Sequence, residues 1–171
     1  MTDRYMIDIE TLGTDPGCAI VSIGVVEFSI SDGPVDGLFL SVDVESCQAR
    51  GLEIDANTLA WWLGQSAAAR EQLTGGDDLE VALAELTAFV GGADEIWANS
   101  PAFDCAILRA AFEAVGIECP WRYYQERDYR TCRETLPTWP DREQESVAHN
   151  AVDDARFQAE CLAAALEEVV V

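Results

Sequence analysis

Two acidic side chains, Asp8 and Glu10, stand at alternate positions of the apolar segment MIDIE near the start of the chain. In an extended strand, residues i and i+2 point to the same face, so the two carboxylates would lie side by side while Ile7 and Ile9 point to a core. Two ionised carboxylates at that distance repel each other. Solvent screening at the end of an exposed edge strand would offset the repulsion, and so would a divalent cation, which prefers oxygen ligands. Both explanations remain open for this segment alone.

Two further segments carry side chains that suit the same chemistry. NSPAFD places Asp104 near the start of a predicted helix that follows a short strand, where an acid also complements the helix dipole. HNAVDDA contains His149, the single histidine of the sequence, a short distance before Asp154. Asn150 is a good N-cap, and Asp153 then fits the capping-box position. Asp154 is rotated about 100° further around the helix and has no capping role.

The elements that must position these residues follow from periodicity and turn chemistry. Apolar and alternating runs predict strands at 4–9, 19–30, 38–44 and 95–99, a turn around Gly33, Pro34 and Gly37, and a short extended piece within 121–130. Short connections between the first three strands predict an antiparallel meander. Helices are predicted for the segments TLAWWLGQ, SAAAREQL, LEVALAELTAFV and AFDCAILRAAFEAV and for residues 150–168.

Boundary residues support these helices. Asp55 or Asn57 would cap the first, Asp77 or Asp78 the third, and Pro101 would stand in the first turn of the fourth. Strands first, and then strands alternating with helices, predict a mixed α/β or α+β sheet protein.

Charge is the most unusual property of the composition. The 171 residues include 32 acids and ten basic residues, all of them arginine, for a net charge of -22. Molar salt shortens the Debye length to about 3 Å and suppresses the resulting self-repulsion, so a halophile-type cytoplasm is the favoured interpretation. A GC-rich genome would explain the missing lysine but not the number of acids.

Other features of the sequence point to an intracellular location. No apolar run approaches the roughly 18 residues that span a bilayer, and the N-terminal segment lacks a signal-peptide pattern, which predicts a cytoplasmic protein without membrane contact. The six cysteines have no C-x-x-C spacing and are expected to be reduced thiols, several of them buried.

The motifs and their order resemble the DEDDh 3′–5′ exonuclease superfamily. DIET, then an aspartate on the helix after a short strand, then H-x-A-x-x-D at the last helix match its pattern over nearly the whole chain. TLAWWLGQ, WANSPAFD and RDYRT resemble more narrowly the subfamily of mycobacterial-type 3′–5′ exoribonucleases and phage exodeoxyribonuclease A. One departure is Ser100, where this subfamily often has glycine.

The resemblance implies a ribonuclease H-like fold, a mixed five-stranded sheet flanked by helices, with residues 1–171 as a single exonuclease domain. Asp8, Glu10, Asp104 and Asp154 would hold two Mg²⁺ or Mn²⁺ ions, with Asp8 between them, Glu10 and Asp154 on one ion and Asp104 nearer the other. His149 would accept the proton of the attacking water, for which a pKa near neutrality is useful.

Substrate contacts are also implied by the resemblance. Leu12 would wedge against the terminal base, and Thr11 would contact the terminal ribose through its backbone. The two tryptophans of TLAWWLGQ are candidates for stacking on bases. Adjacent helical residues diverge, so both cannot face the substrate equally, and a core position for one or both is at least as well supported. Four clustered arginines form a candidate phosphate-binding patch, with surface ion pairing as the alternative for all but Arg130. The residues concerned are Thr11, Leu12, Trp61, Trp62, Asn99, Arg122, Arg127, Arg130 and Arg133.

The expected activity is hydrolysis of single-stranded RNA or DNA from the 3′ end to nucleoside 5′-monophosphates. A homodimer is expected from the resemblance alone. Two other classes of function are weighed against it. A ribonuclease H-type endonuclease or another metal phosphohydrolase would use similar acids. A non-catalytic halophilic scaffold would instead leave the acids scattered and separately solvated.

Overall fold

Five strands form one mixed sheet in the computed structural model, which describes residues 2–141 and 150–170. The strand order is β3-β2-β1-β4-β5. β1 pairs antiparallel with β2 and parallel with β4, β2 pairs antiparallel with β3, and β4 pairs parallel with β5. The predicted mixed sheet with an antiparallel meander is therefore confirmed. The strands are β1 (Arg4–Thr11), β2 (Ile20–Ser29), β3 (Gly33–Ser41), β4 (Glu95–Ala98) and β5 (Glu126–Asp128).

Helices cover both faces of the sheet. Asp55 caps α2 by accepting a hydrogen bond from the Thr58 N–H (2.8 Å), and Asp78 rather than Asp77 caps α4. α5 ends at Gly116, whose φ of 73° is the left-handed conformation that glycine adopts readily. None of the described helices is long and apolar enough to cross a membrane. The helices are α1 (Val44–Ala49), α2 (Ala56–Leu63), α3 (Ala67–Glu71), α4 (Leu79–Val90), α5 (Asp104–Val115), α6 (Tyr129–Thr135) and α7 (Ala151–Val170).

β1 is the central strand, and its alternation divides the core. Ile7 and Ile9 are buried in the larger cluster, on the α4 and α5 side of the sheet. Met6 is buried in the smaller cluster, together with the alanines of α7. An exposed edge strand is therefore the wrong explanation for the acid pair, because β1 has a partner strand on each side. The six cysteines are free, and four of them are buried, which agrees with the expectation from the sequence.

The connection between β2 and β3 differs from the prediction. The turn lies at 30–32, whereas Gly33, Pro34 and Gly37 all belong to β3. Asp32 builds this turn, since its carboxylate accepts hydrogen bonds from the hydroxyls of two nearby serines. Proline is tolerated in β3 because β3 is an edge strand. The glycines and the proline therefore belong to an edge strand, and the turn itself lies just before them.

The structure contains two helices that were not predicted, and one predicted helix begins later than expected. The third strand ends at Ser41, because Asp43 caps the unexpected helix α1 by accepting hydrogen bonds from two backbone N–H groups. Asp128 likewise caps α6, which follows β5 directly and was not predicted. Pro101 lies in a separate turn before α5, which begins at Asp104.

Candidate active site

β1 carries Asp8 and Glu10 on the sheet face that α7 covers. The register pairs Asp8 with Gly24 and Glu10 with Ser22 of β2. Met6, two residues before Asp8, is buried against α7, so the alternation of the strand assigns the two acids to the same side. The side-by-side arrangement that the sequence predicted follows from this geometry.

The parallel neighbour of β1 brings the third acid to the same end of the sheet. β4 pairs Ala98 with Ile7, and the chain then turns through 99–103 into α5. Asp104 is the first residue of α5 and only 3% exposed. The backbone N–H of Ser100 donates a hydrogen bond to Asp104 Oδ2 (3.4 Å). A carboxylate this deeply buried at a helix start does more than complement a dipole at the surface.

α7 contributes the fourth acid. The backbone N–H of Asp153 donates to Asn150 Oδ1 (3.3 Å), which gives Asn150 the capping role predicted for it. Carboxylate oxygens of Asp8, Glu10 and Asp154 all lie within 4.8 Å of one another. Within the described residues, Asp153 is not part of this group. Acids that meet in this way contradict the scattered arrangement that a non-catalytic scaffold would require.

Burial and mutual repulsion govern the protonation of these acids. Burial is the largest cause that raises the pKa of Asp8 well above its ordinary value, and the charges of Asp104, Asp154 and Glu10 add to it. Burial, then Asp154 and Asp104, raises the pKa of Glu10 to about 7. Burial also raises the pKa of Asp104 to about 6, while backbone N–H groups and the charge of Arg130 act in the opposite direction. The site thus brings several carboxyl groups together in a buried environment that disfavours their ionised forms.

Two residues that the sequence did not single out support the acids. The Gln158 side chain, one helical turn beyond Asp154, donates a hydrogen bond from Nε2 to Asp8 Oδ1 (2.9 Å). Gly24, opposite Asp8, lets α7 approach, because a Cβ built on it would lie 2.1 Å from the backbone carbon of Ala151. The glycine inside an otherwise apolar strand was the available signal for a close backbone approach.

We expect the metal-free protein to lose thermal stability as the pH rises from about 4 to about 7. The folded state holds Glu10 and Asp104 with pKa values of about 7 and about 6, above their ordinary values of 4.5 and 3.8. The folded chain therefore binds more protons than the unfolded chain across this window, and the free energy of unfolding decreases with rising pH. Melting curves in a chelating buffer measure this slope.

Glu10→Gln is the control for that slope. The substitution removes one carboxyl group whose pKa is raised in the folded state. The melting temperature of the variant should therefore depend less steeply on pH than that of the wild type. If the melting temperatures of the two proteins depended equally on pH, the effect would come from the acidity of the whole protein and not from the acid cluster.

The residues predicted to contact the substrate fall into two groups. Leu12 is 2% exposed and Trp62 1% exposed, and both belong to the larger core cluster. Trp62 donates its Nε1–H to the backbone oxygen of Thr11 (2.9 Å). Base stacking by Trp62 is therefore wrong for this conformation, and the burial of Leu12 argues against its role as a wedge. Trp61 is 46% exposed and contacts Trp62 edge to face at 5.4 Å between ring centroids.

Thr11 is held by its own local contacts. Its hydroxyl donates to the backbone oxygen of Gly13 (2.6 Å), and the side chain is buried. The backbone oxygen of Thr11 is the acceptor for the Trp62 indole. The end of β1 is thus tied to α2 by a buried hydrogen bond, which fixes the backbone directly after the acid pair.

Comparison with known proteins identifies the family. The sequence-family model of the 3′-5′ exoribonuclease Rv2179c-like domain matches residues 3–166. The chain belongs to this family. It is accordingly a 3′–5′ exonuclease, as the motifs predicted. No curated protein matches the sequence.

Solved structures with the same fold are nucleases of low sequence identity. The nuclease domain of 3′hExo, described as a DEDDh family member bound to rAMP, has a TM-score of 0.71 at 12% identity, with 97% of this chain and 92% of that chain covered. E. coli Exonuclease I in complex with a dA16 oligonucleotide has a TM-score of 0.69 at 15% sequence identity, with 98% of this chain and 41% of that chain covered. The cell-death related nuclease 4 (CRN-4) has a TM-score of 0.66 at 13% sequence identity, with 99% of this chain and 64% of that chain covered. These similarities support the predicted ribonuclease H-like fold.

Two of the four clustered arginines of this exonuclease form ion pairs. The distance from Arg122 Nη2 to Glu118 Oε1 is 2.8 Å, and the distance from Arg127 Nε to Glu95 Oε1 is 3.8 Å. The alternative of surface ion pairing therefore holds for these two, although with other acids than their nearest sequence neighbours. Arg130 is exposed, and it has no carboxylate within salt-bridge distance in the described part of the chain.

Two predicted site residues flank the acids differently. The backbone oxygen of Asn99 accepts a hydrogen bond from the N–H of Arg130 (3.4 Å), which joins the end of β4 to the start of α6 beside Asp104. His149, the predicted general base, lies outside the described residues.

A cavity of about 800 Å³ lies beside the end of β1, between residues 13–18 and 51–58. Asp15, Glu53 and Asp55 line it, and the acids of the exonuclease site do not. Its charge would repel a polyanion, so its size alone does not make it a phosphate-binding site.

Proposed function

We propose that the chain hydrolyses single-stranded nucleic acid from its 3′ end and releases nucleoside 5′-monophosphates with the help of two divalent cations. The observation that carries the proposal is the meeting of Asp8, Glu10 and Asp154 within 4.8 Å of one another, in a member of an exoribonuclease family. The rAMP of 3′hExo and the dA16 of Exonuclease I are a nucleotide and an oligonucleotide, which supports a nucleic-acid substrate.

The donor set fits hard divalent cations. Carboxylate oxygens are the ligands that Mg²⁺ and Mn²⁺ prefer. Nearby, Ser22 Oγ and Gln158 Oε1 are buried and have no hydrogen-bond partner within 2–141 and 150–170. Ser22 stands opposite Glu10 in the register, and Gln158 contacts Asp8. Two spare polar atoms beside crowded carboxylates suit a hydrated cation site and have no evident use in a dry core.

In the proposed mechanism Asp8, Glu10, Asp104 and Asp154 hold the cations. When bound, two cations supply Lewis-acid stabilisation of the attacking and leaving oxygens of an in-line displacement at phosphorus. His149 accepts the proton of the attacking water. Arg130 is exposed, and its charge partly opposes the rise in the pKa of Asp104, so it is our candidate among the described arginines for attracting a substrate phosphate. Trp61 remains the candidate for base stacking.

Directionality is the test of this function. A 5′-labelled single-stranded RNA, incubated with Mg²⁺ or Mn²⁺, should shorten as a ladder of single-nucleotide steps, and a 3′-blocked strand should resist. The same DNA sequence, run in parallel, ranks the two substrate classes. A circular single strand has no 3′ end and should survive, so rapid cutting of the circle would favour the endonuclease alternative.

We further propose that residues 1–171 act as one exonuclease domain in a salt-rich cytoplasm, as a homodimer. The net charge of -22 supports the environment, and α7 packing on β1, β2 and β3 supports a single unit. Light scattering after gel filtration in molar KCl gives the mass that decides between monomer and dimer.

We expect both activity and melting temperature to rise with KCl and to peak well above about 0.15 M, the usual physiological ionic strength. Enzyme and substrate are both anionic, so screening first removes long-range repulsion and only later weakens the local attraction of the arginines. A salt titration of cleavage rate beside melting curves measures this. A protein that works fastest and melts highest in dilute buffer would exclude the halophilic environment and leave the nuclease function intact.

A further inference from the structure

Gln158 lies between the metal-site acids and the body of α7. It stands four residues after Asp154, so both side chains project from the same face of the helix. Its Nε2 donates a hydrogen bond to Asp8 Oδ1 at 2.9 Å, across 150 residues of sequence. The contact joins the last helix to the central strand at one of the three clustered acids.

The orientation of the Gln158 amide is restricted. Its Nε2 faces a carboxylate, and rotating the amide by a half turn would bring two acceptor oxygens together. Its Oε1 is buried without a partner among the described residues, so no second protein contact competes for the side chain. Gly24 of β2 lets the start of α7 approach the sheet closely, because a Cβ there would meet backbone atoms of Ala151 and Val152.

The chemical type of this donor matters as much as its position. A lysine or arginine here would also satisfy Asp8, but its positive charge would compete with a cation for the cluster. A neutral amide orients the carboxylate and leaves the negative charge of the acids available. Hydrogen bonds to ligating groups from outside the ligand set commonly change metal affinity by about 10–100-fold.

We propose that Gln158 is a positioning residue for the divalent-cation site, which it serves by fixing the orientation of the Asp8 carboxylate through its amide N–H. The proposal rests on the proposed function, since it assigns Gln158 a part in the same site. It predicts that the affinity of the protein for cations depends on the amide donor and not on the volume of the side chain.

The experiment compares Gln158→Leu and Gln158→Met with Glu167→Leu, an exposed position on the same helix. Binding of Mn²⁺ alone is measured by titration calorimetry, and cleavage of a single-stranded oligonucleotide is measured at several Mn²⁺ concentrations. Both Gln158 variants should bind Mn²⁺ about tenfold or more weakly. At low Mn²⁺ their kcat should fall in proportion, with KM for the oligonucleotide within twofold and partial rescue at high Mn²⁺. Glu167→Leu should match the wild type.

The outcomes separate this inference from the proposed function. If the wild type cleaves the oligonucleotide and both folded variants bind Mn²⁺ within twofold of it, the role of Gln158 is overturned and the nuclease function stands. If the wild type binds Mn²⁺ but cleaves nothing, the nuclease function fails, while weaker binding by the variants still supports the positioning role. A wild type that binds no Mn²⁺ overturns both. Melting curves in a chelating buffer, unchanged for Gln158→Met, exclude a packing defect as the cause of weaker binding.

Discussion

Asp8→Asn is expected to abolish cleavage while the fold remains intact. The substitution removes one carboxylate charge from the acid cluster that we propose holds the cations, and a loss of about 4 kcal/mol of transition-state stabilisation corresponds to a fall of roughly 10³-fold in rate. The introduced carboxamide keeps an acceptor oxygen for the Gln158 amide, so the contact between α7 and β1 survives. Single-turnover assays with a labelled oligonucleotide measure the loss, and Asp154→Asn should behave in the same way.

The same substitution should raise the melting temperature in metal-free buffer. Burial and three neighbouring acids raise the pKa of Asp8, which means that its ionised form destabilises the folded state at neutral pH. Relief on the order of 1 kcal/mol corresponds to a shift of about 2–4 °C for a chain of this size. An inactive variant that is also less stable would indicate that Asp8 acts in packing and not in catalysis.

Asp153→Asn is the matched control. Asp153 neighbours Asp154 on α7, yet it lies outside the acid group of the described residues. It should retain most of its activity and lose at most about 1 kcal/mol of stability, the usual scale of a capping contribution. If Asp153→Asn were inactive and Asp154→Asn active, the fourth acid would be assigned to the wrong residue.

Gly24→Ala is expected to disable the enzyme from a position that carries no functional group. The new Cβ would lie 2.1–2.3 Å from backbone atoms of Ala151 and Val152, so α7 must move away from the sheet. Overpacking of this kind typically costs about 1–3 kcal/mol of stability. A displacement of about 1 Å between catalytic groups can reduce the rate by about 100-fold. Denaturant unfolding and cleavage assays measure the two effects.

Gly37→Ala serves as the control for Gly24→Ala. Gly37 also lies in a strand beneath α7, but its Cβ would meet chiefly the flexible end of Arg156, 2.9 Å away. That side chain can move at little cost, so cleavage should stay near the wild-type rate. Equal losses in both alanine variants would mean that any added methyl on this sheet face disturbs the protein, and that Gly24 has no special part in aligning Asp154.

Local patterns predicted the meeting of Asp8, Glu10 and Asp154, because their placement depends on periodicities that the sequence displays. Alternation along β1 placed Asp8 and Glu10 together, and the 100° step of a helix distinguished Asp154 from Asp153. The contributions of Gly24 and Gln158 depend on where α7 docks, which no local pattern encodes. Trp62 shows the same limit: a tryptophan on a helix suits a base or a core equally, and the hydrogen bond to Thr11 that decides between them joins distant segments.

Boundaries were predicted less well where capping residues competed with strand propensity. The run LFLSVDV has the apolar character of a strand throughout, yet Asp43 ends it by capping α1. Glycines and a proline in β3 suggested a turn that the structure builds from serine and aspartate instead. In each case side-chain hydrogen bonds to local groups outweighed the average preference of the residues.

The contact between Gln158 and Asp8 closes a loop of 150 residues, and this has a kinetic consequence. Contacts between segments so distant in sequence slow folding, because chain entropy is lost before the contact contributes stability. Unfolded chains do not assemble the acid cluster, so cations that bind it would favour the native state and stabilise it by mass action. To the extent that α7 docks after the folding transition state, bound cations will act mainly by slowing unfolding. Metal supply would then set the lifetime of the folded enzyme as well as its activity.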